Sequence, residues 1–207
     1  MPKKATKPTY ESREYDSQEE IEFQIFLNEA ESYGLILSQK YQPGTYTLAP
    51  KAYRSVTKHF KTKPDRVEQK TLFQSHVYTP DWHVIFAPSF FEVFPKHKLF
   101  VVDETKKEKA IDEPPHTNPC SCLIDVKGGW NLHGGDRLLP IHQKLMWHIN
   151  GEIVNKVVPQ EFFKRIGVVP CALKWMKNRK TKTPKKAYKF VDTFQDKAER
   201  GELGSTK

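Results

Sequence analysis

Asp125 and Lys127 stand two apart in Cys122-Leu123-Ile124-Asp125-Val126-Lys127, a branched, apolar run of strand character ended by Gly128-Gly129. On a strand, residues i and i+2 share a face, so an acid and an amine project together while Cys122, Ile124 and Val126 point the other way. A second acid, Asp81, follows Pro80 and leads into the aromatic and branched segment Trp82 to Phe86, which reads as a neighbouring strand. Two carboxylates converging on one point repel, and a cation that neutralises them is the natural remedy. Hard oxygen donors select Mg²⁺ or Mn²⁺, and such an ion polarises a phosphorus centre and lowers the pKa of an attacking water. Lys127 is then placed to orient that water or to offset charge in the transition state.

A third acid comes from the helix that the sequence predicts from Ser17 onward. Phe23, Phe26, Leu27 and Ala30 recur at helical spacing, and Gly34 supplies the stop. Glu20 lies on the same stripe, so it is preferred over Glu22 as the acid that faces the sheet. Ser17-Gln18-Glu19-Glu20 is also a capping box, in which Glu20 satisfies a backbone N–H at the helix start. Both readings of Glu20 stand at this point.

Around these residues the pattern predicts short strands or irregular extended segments at 35–37 and 45–48 across the turn Gln42-Pro43-Gly44, a single strand over 76–86 and another over 99–102. The basic stretch holding Lys51, Arg54, Lys58, Lys61, Lys63 and Arg66 is expected to be a helix or a loop. Residues 106–118, with Pro114 and Pro115, are expected to be an excursion between strands. A helix is expected over 141–149, a strand over 153–158 and a short helix over 161–166. Gln143 and Lys144 follow the Asp125 strand closely enough to be candidate neighbours of the site.

Lys and Arg number 34 against 25 Asp and Glu, a net charge of +9. That excess favours a polyanionic partner, because Lys and Arg replace counterions condensed on phosphates. The arrangement expected is a basic arm over 1–14, a core over 15–170 and a basic extension over 171–207. The extension carries Lys174, Lys177, Arg179, Lys180, Lys182, Lys185 and Lys186 with Trp175 and Tyr188 interspersed, and is expected to bind the DNA backbone. No run approaches the ~20 apolar residues of a membrane span, and three cysteines build no disulfide framework. The expected setting is therefore the cytoplasm (a host's, if the protein is viral), with no membrane partner. A zinc site from His116, Cys120, Cys122, His133 and Cys171 is disfavoured, since Cys-x-Cys leading into a strand is not structural zinc spacing. No helix-turn-helix or zinc-finger signature offers base-specific readout.

The ordered set of a helical Glu, then Thr79-Pro80-Asp81-Trp82, then Ile124-Asp125-Val126-Lys127-Gly128, then a helix with Gln143 and Lys144 resembles the PD-(D/E)XK nuclease superfamily. Within it the chain is most similar to phage endonucleases like Holliday-junction resolvases, and next to transposon end-cutting endonucleases. The resemblance spans residues 17–159, with a longer stretch between Asp81 and Asp125 than the family pattern leads one to expect. It implies an α/β, restriction-endonuclease-like core, a central mixed sheet flanked by helices, that cuts phosphodiester bonds in DNA with Mg²⁺. Asp81 and Asp125 would match the metal-binding acids, Lys127 the catalytic lysine, and Glu20 the helical acid, a catalytic residue that would add a third carboxylate to the metal. Structure-selective or branched-DNA cleavage in phage or mobile-element DNA processing would follow, and paired cuts would suit a homodimer. The rival expectation is a non-catalytic nucleic-acid-binding or packaging protein on the same fold.

Overall fold

The strand that holds Asp125 is the centre of the molecule, and every residue from Cys120 to Val126 is buried. In this computed structural model the described residues are 7–105, 109–111, 118–128, 137–174, 188 and 191–203. The chain is mixed α/β. Its elements begin with β1 (Thr9–Tyr10), β2 (Arg13–Glu14), α1 (Gln18–Ser32), β3 (Ile36–Tyr41), β4 (Tyr46–Ala49), β5 (Ala52–Lys58), β6 (Arg66–Phe73), β7 (His76–Tyr78) and β8 (Trp82–Phe86). There follow α2 (Pro88–Val93), β9 (Phe100–Asp103), β10 (Lys109–Ile111), β11 (Cys120–Val126), α3 (Leu139–Leu145) with a π-helical turn over Met146–Asn150, and β12 (Val154–Val157). The chain continues through α4 (Pro159–Ile166), β13 (Val168–Val169), α5 (Cys171–Lys174), β14 (Asp192–Thr193) and α6 (Phe194–Glu199).

The main sheet runs β10-β9-β11-β8-β3, antiparallel throughout, and β12 joins β11 as its parallel neighbour. β9 and β12 share one edge of β11: β9 pairs at Cys120 and Ser121, β12 from Leu123 to Val126. Asn155 ties the two together, accepting from Phe100 N–H and donating to Phe100 O at 2.8 Å each.

The two faces of β11 feed two cores, as its alternation requires. Cys120, Cys122, Ile124 and Val126 join Phe23, Phe26 and Leu27 of α1 and Phe162 and Phe163 of α4. Leu123, on the opposite face, packs with Leu48, Tyr78, Leu139, Met146 and Val154. Phe26 is the hub of the larger core, with ring centroids 5.4–5.5 Å from those of Phe162, Phe163 and Phe194. Leu173, Tyr188, Phe194 and Leu203 belong to the same core, so the chain beyond residue 171 is tied into it at four points.

Several local expectations are corrected. The basic stretch after Lys51 is neither helix nor loop but the antiparallel ribbon β5–β6. The single strand expected over 76–86 is two, β7 and β8, because Pro80 has no N–H for a ladder and the chain changes partners there. Part of the stretch after Lys106 pairs with the sheet as β10, while 112–117 lie outside the described residues. The helix expected over 141–149 starts at Leu139 and widens into a π turn at Met146, which shifts its register. Met146 is buried, whereas Ile141 and Ile149 face outward. No helix among the described residues is long and apolar enough to cross a membrane.

Candidate functional site

Asp81 and Asp125 meet where β8 gives out. The β8–β11 ladder ends at Trp82 opposite Ile124, so one more step places Asp81 opposite Asp125. Instead of continuing the ladder, Asp81 turns its carboxylate onto β11 and accepts from Val126 N–H at 2.7 Å. Gln42 N–H donates to Asp81 O at 2.7 Å and fixes the backbone from the other side. Asp125 is almost wholly buried. Its Oδ2 accepts from Tyr78 Oη at 2.6 Å, and its Oδ1 forms an ion pair with Lys127 Nζ. Asp125 and Lys127 therefore do share a face, and Asp81 lies beside them.

Burial pushes the Asp81 carboxyl up to about 7, helped by repulsion from Asp125 and Glu20 and opposed by the Val126 N–H and by Lys127. Burial and the charge and hydrogen bond of Asp125 likewise raise the Tyr78 phenol, which stays a donor at any physiological pH. The negative field of Asp125 and Glu20 thus converges on Asp81, with Lys127 as the counterweight.

Glu20 is buried at the start of α1, where it both closes the helix start and faces the sheet. It receives Asp16 N–H at 3.1 Å and Ser17 Oγ at 3.0 Å, while Ser17 Oγ accepts from Glu20 N–H, so it closes the helix start. It also receives Tyr41 Oη at 2.9 Å and its charge reaches Asp81. Burial raises its carboxyl, against those three hydrogen bonds. Glu22 is turned elsewhere, towards Tyr188 Oη, which donates to it at 3.3 Å. Glu19, which its position in the sequence does not single out, reaches the end of β11: a Cβ at Gly128 would lie 3.3 Å from its Oε1.

Gln143 and Lys144 do not point at Asp125. Gln143 donates to Val154 O at 2.8 Å, and both residues line a cavity of about 610 Å³ with Phe100, Trp147, Ile153 and Lys156. His142, one residue earlier, is the helix residue that approaches the site. Its ring centroid is 4.6 Å from that of Tyr78 and its Nε2 is 3.0 Å from His76 Nε2. Tyr78, Tyr41 and His142 carry no sequence motif that marks them as site residues. The adjacency of Tyr78 to Thr79-Pro80-Asp81, and the place of His142 beside Gln143 and Lys144 after the Asp125 strand, are the signals that point to them; Tyr41 has none.

Of the basic tail, Lys174 forms an ion pair with Asp196 at 3.1 Å, and Lys177, Arg179, Lys180, Lys182, Lys185 and Lys186 lie outside the described residues. Cys120 and Cys122 are core residues whose thiols burial raises, to about 11 for Cys120. His116 and His133 lie outside the described residues. Among the described residues, no three His, Cys, Asp or Glu side chains stand together as a ready-made ligand set. The donor set at the sheet end is two carboxylates with a third behind, which suits Mg²⁺: that ion is commonly held by one or two carboxylates and completes its shell with waters and phosphate oxygens. Burial is the larger cause of the raised Asp81 carboxyl, and the repulsion from Asp125 and Glu20 that adds to it is what a divalent ion would relieve. No family model, no curated protein and no solved structure matches the chain.

Proposed function

We propose that the protein is a metal-dependent DNA endonuclease on a restriction-endonuclease-like core, similar to the PD-(D/E)XK nucleases. The observation that carries this reading is the meeting of Asp81, Asp125 and Lys127 at one sheet end, with Glu20 close enough to act on Asp81. Asp81 and Asp125 would hold one or two Mg²⁺ ions, with Mn²⁺ able to substitute. When bound, the metal supplies neutralisation of the phosphate and a lowered pKa for a water. Glu20 keeps Asp81 in a negative field and anchors α1. Tyr78 fixes the Asp125 carboxylate through Oδ2, which leaves Oδ1 directed at Lys127. Lys127 would pass from pairing with Asp125 to positioning the water or offsetting charge on the phosphoryl oxygens. The net charge of +9 supports a polyanionic substrate. Branched DNA and a homodimer, in phage or mobile-element DNA processing, extend the same reading.

A binding or packaging protein is the competing reading, favoured by one observation: Asp125 is already balanced internally by Tyr78 and Lys127, as a structural carboxylate would be. Incubating labelled linear duplex, four-way junction and single-stranded DNA with Mg²⁺ or EDTA separates the two. Cutting in Mg²⁺ alone, reduced at least ~100-fold by Asp125→Asn with binding retained, is the expected result. Tight binding with no product in Mg²⁺ or Mn²⁺ would transfer the conclusion to the binding reading.

A further inference from the structure

Strands β4 to β7 form one long hairpin that leaves the core at Tyr46 and returns at Tyr78. Its base is the β4–β7 pair, and after two linking residues on each side it continues as β5–β6, which pair with each other and with no other strand among the described residues. The ribbon makes no contribution to either core. An isolated two-stranded ribbon is only marginally stable in water, so seven and eight residues of ordered strand held away from the core call for a purpose outside it.

The register sorts its side chains into two unlike faces. Arg54 stands opposite Lys70, Val56 opposite Glu68, and Lys58 opposite Arg66. Directly opposed residues of an antiparallel pair share a face, so Arg54, Lys58, Arg66 and Lys70 line one side of the ribbon. Glu68 is the only acid on it and pairs with Lys58 at 2.6 Å. The other side carries Tyr53, Ser55, Thr57, Val67, Gln69 and Thr71, and Gln69 Nε2 donates to Ser55 Oγ across it at 2.9 Å. Arg54, Lys58, Arg66 and Lys70 are all exposed, and Lys61 and Lys63 extend the positive charge over the tip.

We infer that this ribbon is a duplex-DNA-holding arm, with its basic face on the phosphate backbone. At ~3.4 Å per residue it is about 25 Å long, and a two-stranded ribbon is an element that a DNA groove ~12 Å wide admits. Its base supplies Tyr78, the residue that donates to Asp125 at 2.6 Å, so a duplex seated on the arm leads towards the candidate site. Contacts to phosphates carry no sequence information, which makes the arm a holding device and leaves sequence unread. The inference deepens the nuclease reading and takes from it the choice of DNA as the polyanion.

The test measures binding, in EDTA, of fluorescent linear DNA and RNA duplexes to the full chain across a salt series. The Arg54→Gln/Lys70→Gln variant is compared with Lys164→Gln/Arg165→Gln, an equal loss of charge at exposed positions of α4. The ribbon variant should bind about tenfold or more weakly at fixed salt, with the slope of log K against log salt reduced by about two, one per lost phosphate contact. The α4 variant should change neither, and both should keep the parent melting temperature. Equal effects of the two variants, no effect of the ribbon variant, or a loss confined to duplex RNA would each overturn the inference. Metal-dependent cutting is scored separately on the same proteins: a protein that cuts nothing but loses duplex binding with the ribbon removes the nuclease reading and keeps the arm, while intact cutting with unchanged binding does the reverse.

Discussion

At the scale of single residues, Asp81 carries the sharpest consequence. In the unfolded chain its carboxyl ionises near the ordinary value of 3.8, and in the folded protein near 7, so between these values the folded state holds the extra proton. Stability contributed by the protonated form is present below the lower value and is lost as pH rises through the window, staying low above about 7. A tenfold change in proton affinity is worth about 1.4 kcal/mol, and solvent reaching the partly exposed carboxylate screens some of it, so the cost is on the order of 3 kcal/mol at pH 8. Asn at this position keeps an oxygen for Val126 N–H and has no charge to bury. Asp81→Asn should therefore raise the melting temperature of the EDTA-treated protein by several degrees at pH 8 and leave it nearly unchanged at pH 4. Calorimetry at the two pH values decides, and an equal shift at both would mean that the raised carboxyl is not what limits stability. The spacing of Asp125 and Lys127 reveals their shared face, because the strand period of two is a property of the backbone. Tyr78 and His142 are not legible in the same way, since each reaches Asp125 or its surroundings from a separate segment: Tyr78 as hydrogen-bond donor, His142 against the Tyr78 ring.

At the scale of elements, the apolar periodicities locate most of the structure and the polar ones are silent. Phe23, Phe26 and Leu27 announce α1, which spans Gln18–Ser32, because burial imposes the helical period on apolar residues. The β5–β6 ribbon has the strand period too, but written in Arg, Lys, Ser and Thr with neither face on a core, and hydrophobic patterning has nothing to report there. The π turn at Met146 escapes for a different reason: a one-residue widening rotates everything after it, so Ile149 falls on the outside although its spacing suggests the inside. The element that positions Glu20 depends on aromatic packing of Phe26 between α4 and α6, where the ring is fully buried. Phe26→Ala removes that ring from a site that its rigid aromatic neighbours cannot easily close, and should cost about 3–5 kcal/mol. Urea unfolding would show it as a lower midpoint at unchanged slope. A loss below about 1 kcal/mol would mean that α1 is not held to the sheet through this cluster.

At the scale of the whole molecule, the part of the chain beyond residue 171 combines core residues with a dense run of lysines, and composition alone merges the two. Lysine density suggests an extension lying apart from the core. The core nevertheless takes in Leu173, Tyr188, Phe194 and Leu203, and β14 pairs in parallel with β13. The isolated apolar residues that do this, one every several positions among lysines, show no periodicity for a sequence reading to seize. Their contribution is large all the same: Phe194 covers Phe26, Tyr33 and Phe94, and Tyr188 sits on Phe163 and donates to Glu22. Ending the chain at Pro170 strips these groups from the core, exposing aromatic surface and leaving Glu22 buried without the Tyr188 hydroxyl. The truncated protein should lose its cooperative thermal transition. Replacing Lys177, Lys180, Lys182, Lys185 and Lys186 with Gln removes charge and keeps Leu173, Tyr188, Phe194 and Leu203, so the transition should stay within about 0.5 kcal/mol of the parent while duplex binding weakens and becomes less salt-dependent. Melting curves and a salt titration on the two variants separate anchor from contact. A truncated chain that melts like the parent would mean that the core is complete by residue 170, and the lysines alone would then account for the tail.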